Sequence, residues 1–376
     1  MPEPFKNCFN KSLVSAMAGH FLKQYHNFDS HSFVTDATTN MDSLELKARS
    51  ELITQTMVEY LPADFTKSSK ILLDSLGTNI DEGISNAGID ENGIAGWAIM
   101  PMAHYVALKG QDHFDLSMEL LKEMTKRFTS ELAIRYFILK STTKTLSTLR
   151  GWSTDDNQHV RRLVSEGSRP RLPWAMRLPM FISDPSPILE LLEILKDDPS
   201  EYVRRSVANN LNDISKDHPD LVAEIAGQWM KNASKQRIKL VKHACRTLVK
   251  KGDKKILSTL GFNRAKIKKP SIELNTPTVN FGDYLEFTFS AISDSNQDQP
   301  LIIDYIIHHK KKSGQTSPKV FKWKLTTLLA NKKLVATKKH AIKKITTRKY
   351  YQGEHRVEII VNGVSFAEAK FSLLMP

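Results

Sequence analysis

Between about Lys11 and Leu260, apolar residues recur at three- and four-residue spacing, and Asp, Pro, Ser and Gly interrupt the pattern at short intervals. FDLSMELLKEMTKRF (114–128), SPILELLEILKDD (186–198), PDLVAEIAGQWMKN (219–232) and SKQRIKLVKHACRTLVKKG (234–252) each gather their apolar positions on one side of a helix. This stretch predicts a succession of amphipathic helices. After Gly261-Phe262 the period changes to two. SIELN, YLEFTFSAI, LIIDYIIHHK, VFKWKLTTL, HRVEIIVNG and AEAKFSLL are short alternating runs rich in Val, Ile, Thr and aromatics, separated by turn signals such as Ser-Gly and Asn-Gly. Six or seven such runs predict an antiparallel β-sandwich of immunoglobulin-like shape. The change falls in the basic stretch NRAKIKKP, near 262–270, and sets the expected domains at 1–262 and 263–376.

One internal similarity refines the helical part. STDDNQHVRRLVSEG (153–167) aligns with KDDPSEYVRRSVANN (196–210) at an offset of 43 residues, matching Val160-Arg161-Arg162 with Val203-Arg204-Arg205 and Asp155 with Asp198. That offset lies in the range of HEAT-type repeats, whose paired helices stack and bury a shared core. FTSELAIRYFILK (128–140) has a similar apolar-Arg step, but it lies only 26 residues before Val160-Arg161 and is out of register. The expected fold is therefore an α-helical HEAT-like-repeat solenoid followed by a C-terminal all-β immunoglobulin-like sandwich.

Composition narrows the chemistry. With 376 residues, 40% of them hydrophobic, the chain can bury a sizeable core. No run reaches the roughly 18 apolar residues of a spanning helix, and the N-terminal segment lacks a secretion pattern, so a cytosolic protein is expected, with no membrane partner. Cys8 and Cys245 are too few for a disulfide framework or a thiolate cluster. The histidines show no metal-ligand spacing, His308-His309 reads as structural, and neither a Gly-rich phosphate loop nor a Ser/His/Asp set is present. No metal and no cofactor are expected. The formal net charge is +13, and residues 264–376 carry 20 Lys and Arg against 9 Asp and Glu, so the tail holds most of it. A basic block of that size favours a polyanion such as nucleic acid, although anionic membranes and acidic proteins also bind such surfaces.

HVRRLVSEGSRPRLPWA (159–175), followed by DDPSEYVRRSVANNLNDISKDHP (197–219), resembles the core signature of the AlkC alkylpurine glycosylase family. GWAIMPMAHYVALKGQDHFDLSMELLKEMTKRFTSELAIR (96–135) is similar to the segment that precedes that signature, so the resemblance covers most of residues 1–260. A basic β-sandwich after the solenoid is similar to the immunoglobulin-like domain of some members. The resemblance implies a monomeric enzyme that removes small cationic bases, mainly N3-methyladenine, from duplex DNA. Such a base already carries a positive charge, so its departure needs no general acid. What remains is to stabilise the sugar as it becomes oxocarbenium-like, which is work for carboxylates. A carboxylate about 4 Å from that cation contributes about 4 kcal/mol at an effective dielectric near 20, or roughly a thousandfold in rate.

Glu131, Glu166 and Asp213 fit that role, because a carboxylate on a face meant for phosphate is repelled by DNA and needs a reason to be there. They are also spaced for ordinary salt bridges, Glu131 with Arg135, Glu166 with Arg162 and Asp213 with Lys216. SRPRLPW (168–174) interrupts the helical pattern and offers Trp174 to the lesion or sugar and Arg169 and Arg171 to phosphates. Trp174 serves equally well as a plug between helices. In the Arg161-Arg162 and Arg204-Arg205 pairs one arginine is expected to reach phosphate and the other to hold a neighbouring repeat; Arg162 and Arg205 are the preferred contacts. Asn209 adds a candidate hydrogen bond to sugar or base, and Lys311 and Lys339 stand for the two basic clusters of the β-domain. The alternatives are a HEAT-repeat protein that binds damaged or branched DNA without cutting it, and a scaffold for a protein partner.

Overall fold

In the computed structural model, which describes residues 4–80, 83–84, 87–346 and 348–376, sixteen α-helices precede eight β-strands among the described residues. The helices are numbered α1 to α16 from Lys11–Gln24 to Lys254–Thr259. None is long and apolar enough to cross a membrane. The chain forms two compact units, Met1–Asp217 with Ser234–Ala244, and His218–Ala233 with Cys245–Pro376.

In the first unit the two matched segments become α9 (Gln158–Gly167) and α12 (Glu201–Ile214), which pack on one another. Asn157 starts α9, its side-chain oxygen accepting from the backbone N–H of His159 at 2.9 Å. Val160, Leu163 and Val164 of α9 and Val203, Val207 and Leu211 of α12 are buried, each contributing about 1.5–3 kcal/mol by leaving water. The first arginine of each pair is bound in the same way in both repeats. Arg161 Nη1 donates to the carbonyls of Asp155 and Asp156, and Arg204 Nη1 does the same to Asp198 and Pro199, one repeat later. Arg161 also grips Asp198 through two hydrogen bonds, 2.6 and 3.0 Å, as Lys122 grips Asp155 at 2.6 Å. A cation reaching forward to the aspartate that precedes the next repeat helix thus ties one repeat to the next.

Gly167 closes α9 where only a hydrogen fits. A Cβ there would lie 2.5 Å from Ile134 Cγ2, and Ile134 is fully buried at the start of α7 (Ile134–Lys140).

In the second unit the strands are β1 (Ile267–Leu274), β2 (Thr278–Asn280), β3 (Tyr284–Ser293), β4 (Gln299–Lys310), β5 (Thr316–Leu328), β6 (Lys333–Ala341), β7 (Gly353–Val361) and β8 (Val364–Leu374). They form a three-stranded sheet in the order β1-β3-β6 and a five-stranded sheet in the order β2-β8-β7-β4-β5. Phe287 and Phe289 of β3 pack with Ile303, Tyr305, Val357, Ile359 and Phe371 of the other sheet. Two strands escape the hydrophobic pattern. β2 is three residues long and pairs parallel to β8, so the sandwich is not wholly antiparallel. β6 reads KLVATKKHA and lies at a sheet edge, where three lysines break the alternation and blunt further pairing.

Histidines sit in this core. Tyr305 Oη and His340 Nδ1 are 2.8 Å apart, and Arg348 Nη1 donates to His309 Nε2 at 2.6 Å. Burial, reinforced by the Arg348 charge, pushes His309 down to about 3 and His340 down to about 4.

Two outcomes are expected. Gly167→Ala, a helix-favouring change on an open surface, should here destabilise the protein by about 1–3 kcal/mol through overpacking against Ile134, measured as a lower urea midpoint. Because His309 and His340 titrate lower when folded than the usual 6.5 or so when unfolded, the unfolded chain binds more protons between those values, and stability falls as pH drops from about 6.5 towards 4. Thermal unfolding of the unaltered protein and of His309→Gln/His340→Gln at pH 7.5 and 4.5 checks this: the drop in Tm should be smaller in the variant.

Candidate active site

The three candidate carboxylates come from separate places in the first unit. Glu166 stands near the end of α9 and Asp213 near the end of α12, while Glu131 lies in the turn that leads into α7 and not within a helix. Arginines join them. Arg162 Nη1 is 2.5 Å from Glu131 Oε2, and Arg162 Nη2 is 3.5 Å from Glu166 Oε1. Arg169 Nη1 donates to Glu166 Oε1 at 2.6 Å, and its Nε donates to Asp213 Oδ2 at 2.9 Å. Lys216 Nζ completes the series on Asp213 Oδ1 at 2.8 Å. Carboxylate and cation alternate from Glu131 to Lys216.

Most of this series is out of water: Glu166 is 5% exposed, Asp213 2% and Arg169 7%. Burial by itself raises the Glu166 carboxyl, but Arg162, Arg169 and a 2.6 Å hydrogen bond from Ser206 Oγ outweigh it and hold the group below its usual range. Burial likewise opposes the Arg162 guanidinium, and Glu131 and Glu166 more than restore it. Thr129 Oγ1 braces the open end, donating to Glu131 Oε2 at 2.7 Å and accepting from Arg162 Nη1 at 3.1 Å.

Of the pairings suggested by spacing, Glu166–Arg162 and Asp213–Lys216 form, and Glu131–Arg135 does not. Arg135 is fully buried and donates to the carbonyls of Met176, Gly167 and Arg169 at 2.6–2.9 Å, binding residues 167–176 to the start of α7. Burial pushes its guanidinium down to about 10. At the tip of that segment Trp174 is 60% exposed with φ of 66°, a left-handed conformation in which a bulky side chain is strained. Lys47 Nζ holds the Trp174 carbonyl at 2.8 Å. The exposed ring is therefore not a plug between helices.

Trp174 and Glu131 share a cavity of about 590 Å³, together with Lys47, Glu51, Trp97, His104 and Tyr136. His104 Nε2 and Tyr136 Oη are 3.2 Å apart on its wall. The other candidates lie elsewhere. Arg171 is bound to Asp217 through two 2.8 Å hydrogen bonds. Arg205 is exposed and lines a cavity of about 290 Å³ with Arg204, Lys239 and His243, and Asn209 Oδ1 is 3.1 Å from His243 Nε2. In the β-domain Lys311 is exposed in the turn after β4, and Lys339 on β6 is 3.5 Å from Glu286.

Ser206, Thr129, Glu51, His104, Tyr136 and Trp97 have no place in the reading by motif. For Ser206 a signal existed, since the repeat sets it opposite the buried Leu163 and a polar residue at an apolar position marks a partner. By the same offset Glu166 falls opposite Asn209 and Gly167 opposite Asn210, whose amide donates to the Ser165 carbonyl at 2.8 Å. The site lies where the two repeats disagree.

Residues 268–375 match the family model described as the C-terminal Ig-like domain of the uncharacterised protein YhaZ. Over 360 residues the chain is 38% identical to the protein YhaZ of Bacillus subtilis (strain 168), covering 95% of this chain and 96% of that protein. Among solved structures, Pseudomonas fluorescens alkylpurine DNA glycosylase AlkC, bound to DNA containing an abasic site analog, aligns with a TM-score of 0.85 at 34% identity, covering 98% of this chain and 99% of that one. With that likeness running through both the helical unit and the β-sandwich, the chain belongs to the AlkC-type HEAT-like-repeat alkylpurine DNA glycosylase family.

Proposed function

We propose that the protein hydrolyses the N-glycosidic bond of small, positively charged alkylated bases in duplex DNA, N3-methyladenine foremost, as a monofunctional glycosylase of the cytosol. The observation that carries this reading is the gathering of Glu131, Glu166 and Asp213 into one ion series whose open end borders an aromatic cavity. The Pseudomonas enzyme was captured on DNA with an abasic site analog, the kind of product that base removal leaves.

In this reading the C1′–N bond breaks with its electron pair passing to the base, which discharges the base and leaves the positive charge on the sugar. Glu131, on the cavity wall, faces that charge. Glu166 and Asp213 are too buried to touch substrate; they fix Arg162 and Arg169 and, through Arg162, the position of Glu131. A water oxygen then adds to C1′, and its proton passes to Glu131 and on to solvent. Preorganised charge of this kind stabilises a transition state because no reorganisation is needed when the sugar ionises. Trp174 supplies a face for stacking or cation–π contact. Arg205, Lys311 and the neighbouring lysines supply phosphate contacts, which give affinity without reading sequence.

One observation favours a second reading, a DNA binder without catalysis: each of the three carboxylates already has a cationic partner. Release of free 3-methyladenine from methylated duplex DNA separates the two. Under the first reading the unaltered protein releases base, and Glu131→Gln and Glu166→Gln each lower the rate by about 10²-fold or more while DNA binding is retained. No release despite tight binding supports the second reading.

Phosphate contacts make the affinity depend on salt. Replacing Lys311 and Lys312 by Ser should reduce the slope of log K against log salt by roughly 0.9 per lysine lost, measured by fluorescence anisotropy between 50 and 200 mM salt. DNA affinity indifferent to salt would point to a protein partner instead.

A further inference from the structure

The cavity beside Glu131 holds a second carboxylate in a different electrostatic state. Glu131, Glu166 and Asp213 are each compensated by a guanidinium or ammonium group. Glu51, exposed on α3 (Leu46–Tyr60), makes no salt bridge among the described residues, although Lys47 stands four residues before it at the spacing of an ordinary helical ion pair. Lys47 is occupied instead with the Trp174 carbonyl, 2.8 Å away. The contact that holds the strained tryptophan therefore also leaves Glu51 without a salt-bridge partner, in a cavity lined by Trp97, Tyr136 and Trp174 as well as Lys47.

We propose that Glu51 is the specificity-determining carboxylate of this cavity: it meets the positive charge of the methylated base before the bond breaks and so selects cationic over neutral bases. This rests on the glycosylase reading above. Repulsion between Glu51 and the phosphates is common to damaged and undamaged DNA, so it cancels from the comparison. What differs is the base, which is neutral when normal and cationic when methylated at N3. Aromatic faces add in the same direction, because a ring quadrupole attracts a cation more than a neutral heterocycle. A cavity of about 590 Å³ lies within the range that holds small planar molecules.

The role differs in kind from that of Glu131. As the bond breaks, the base loses its charge and the sugar gains one. A carboxylate facing the sugar strengthens its interaction in the transition state and acts on kcat; one facing the base interacts most strongly beforehand and acts on KM. Glu51→Gln should therefore raise KM for 3-methyladenine release about tenfold without lowering kcat, whereas Glu131→Gln lowers kcat. Because Glu51 is exposed, the substitution should leave Tm unchanged.

The binding arm of the experiment needs no catalysis. Titrating the protein with 1-methylnicotinamide, a permanent cation, and with nicotinamide, its neutral counterpart, is followed by quenching of the Trp97 and Trp174 fluorescence. The unaltered protein should prefer the cation by about tenfold, Glu51→Gln should bind the two alike, and Glu51→Lys should favour the neutral compound. Equal affinity in the unaltered protein, or a Glu51→Gln effect confined to kcat, overturns the proposal. If the unaltered protein releases no base, the glycosylase reading fails while the cation preference still decides the role of Glu51. If it releases base and Glu51→Gln matches it in both arms, only this proposal fails.

Discussion

Arg169 lies between Glu166 and Asp213, all three almost out of water, and the local order of the helical unit depends on that contact. A charge moved into the protein interior loses several kcal/mol of hydration, and only a close partner restores it. The Glu166 carboxyl is therefore held below its usual range because its arginines are in place, and Arg169 is held by its two carboxylates. Removing Arg169 would leave the two buried carboxylates with one cation each, Arg162 beside Glu166 and Lys216 beside Asp213, and take the closest partner from Glu166, a loss of about 3 kcal/mol. The ion series accordingly fixes three stretches of chain, 131–135, 162–169 and 206–216, in one arrangement.

Buried charge also accounts for the shape of the segment after α9. With two prolines and no helix, residues 168–178 have carbonyls that need donors, and Arg135 supplies them from within. Anchored at that end and held by Lys47 at the other, the segment keeps Trp174 exposed in a backbone conformation the residue would not choose. Strain of this kind persists only where its surroundings impose it. The cavity wall thus combines a carboxylate fixed by an arginine with another left free of one.

The β-domain follows a different division of labour. Its inner positions include Phe, Ile, Val and Tyr, and many of its lysines lie on the edge strands β1, β5 and β6 and in the turns after β4 and β6. Charge placed there does not disturb the core, and it discourages pairing with a further strand. The buried histidines accept partners while neutral, so this domain is built for pH values above their unfolded titration range.

Periodicity alone settles the order of helices then strands, since burial on one face imposes a period of 3.6 or of two whatever the neighbours are. The 43-residue offset locates the paired helices α9 and α12, and the segments 96–135, 159–175 and 197–219 carry the family resemblance and the candidate carboxylates. β6 was illegible because an edge strand need not alternate, and β2 because three residues show no period. The partner of Glu131 was equally hidden: Arg135 stands four residues from it yet serves carbonyls more than thirty residues away, while Arg162 reaches Glu131 across two helices. Glu51, His104, Tyr136 and Trp97 share a cavity through no spacing in the chain. Local periodicity records what each residue must hide from water, and the sequence determines that directly; the partner a buried charge or a cavity wall finds is set by packing between distant segments, and only the tertiary structure decides it.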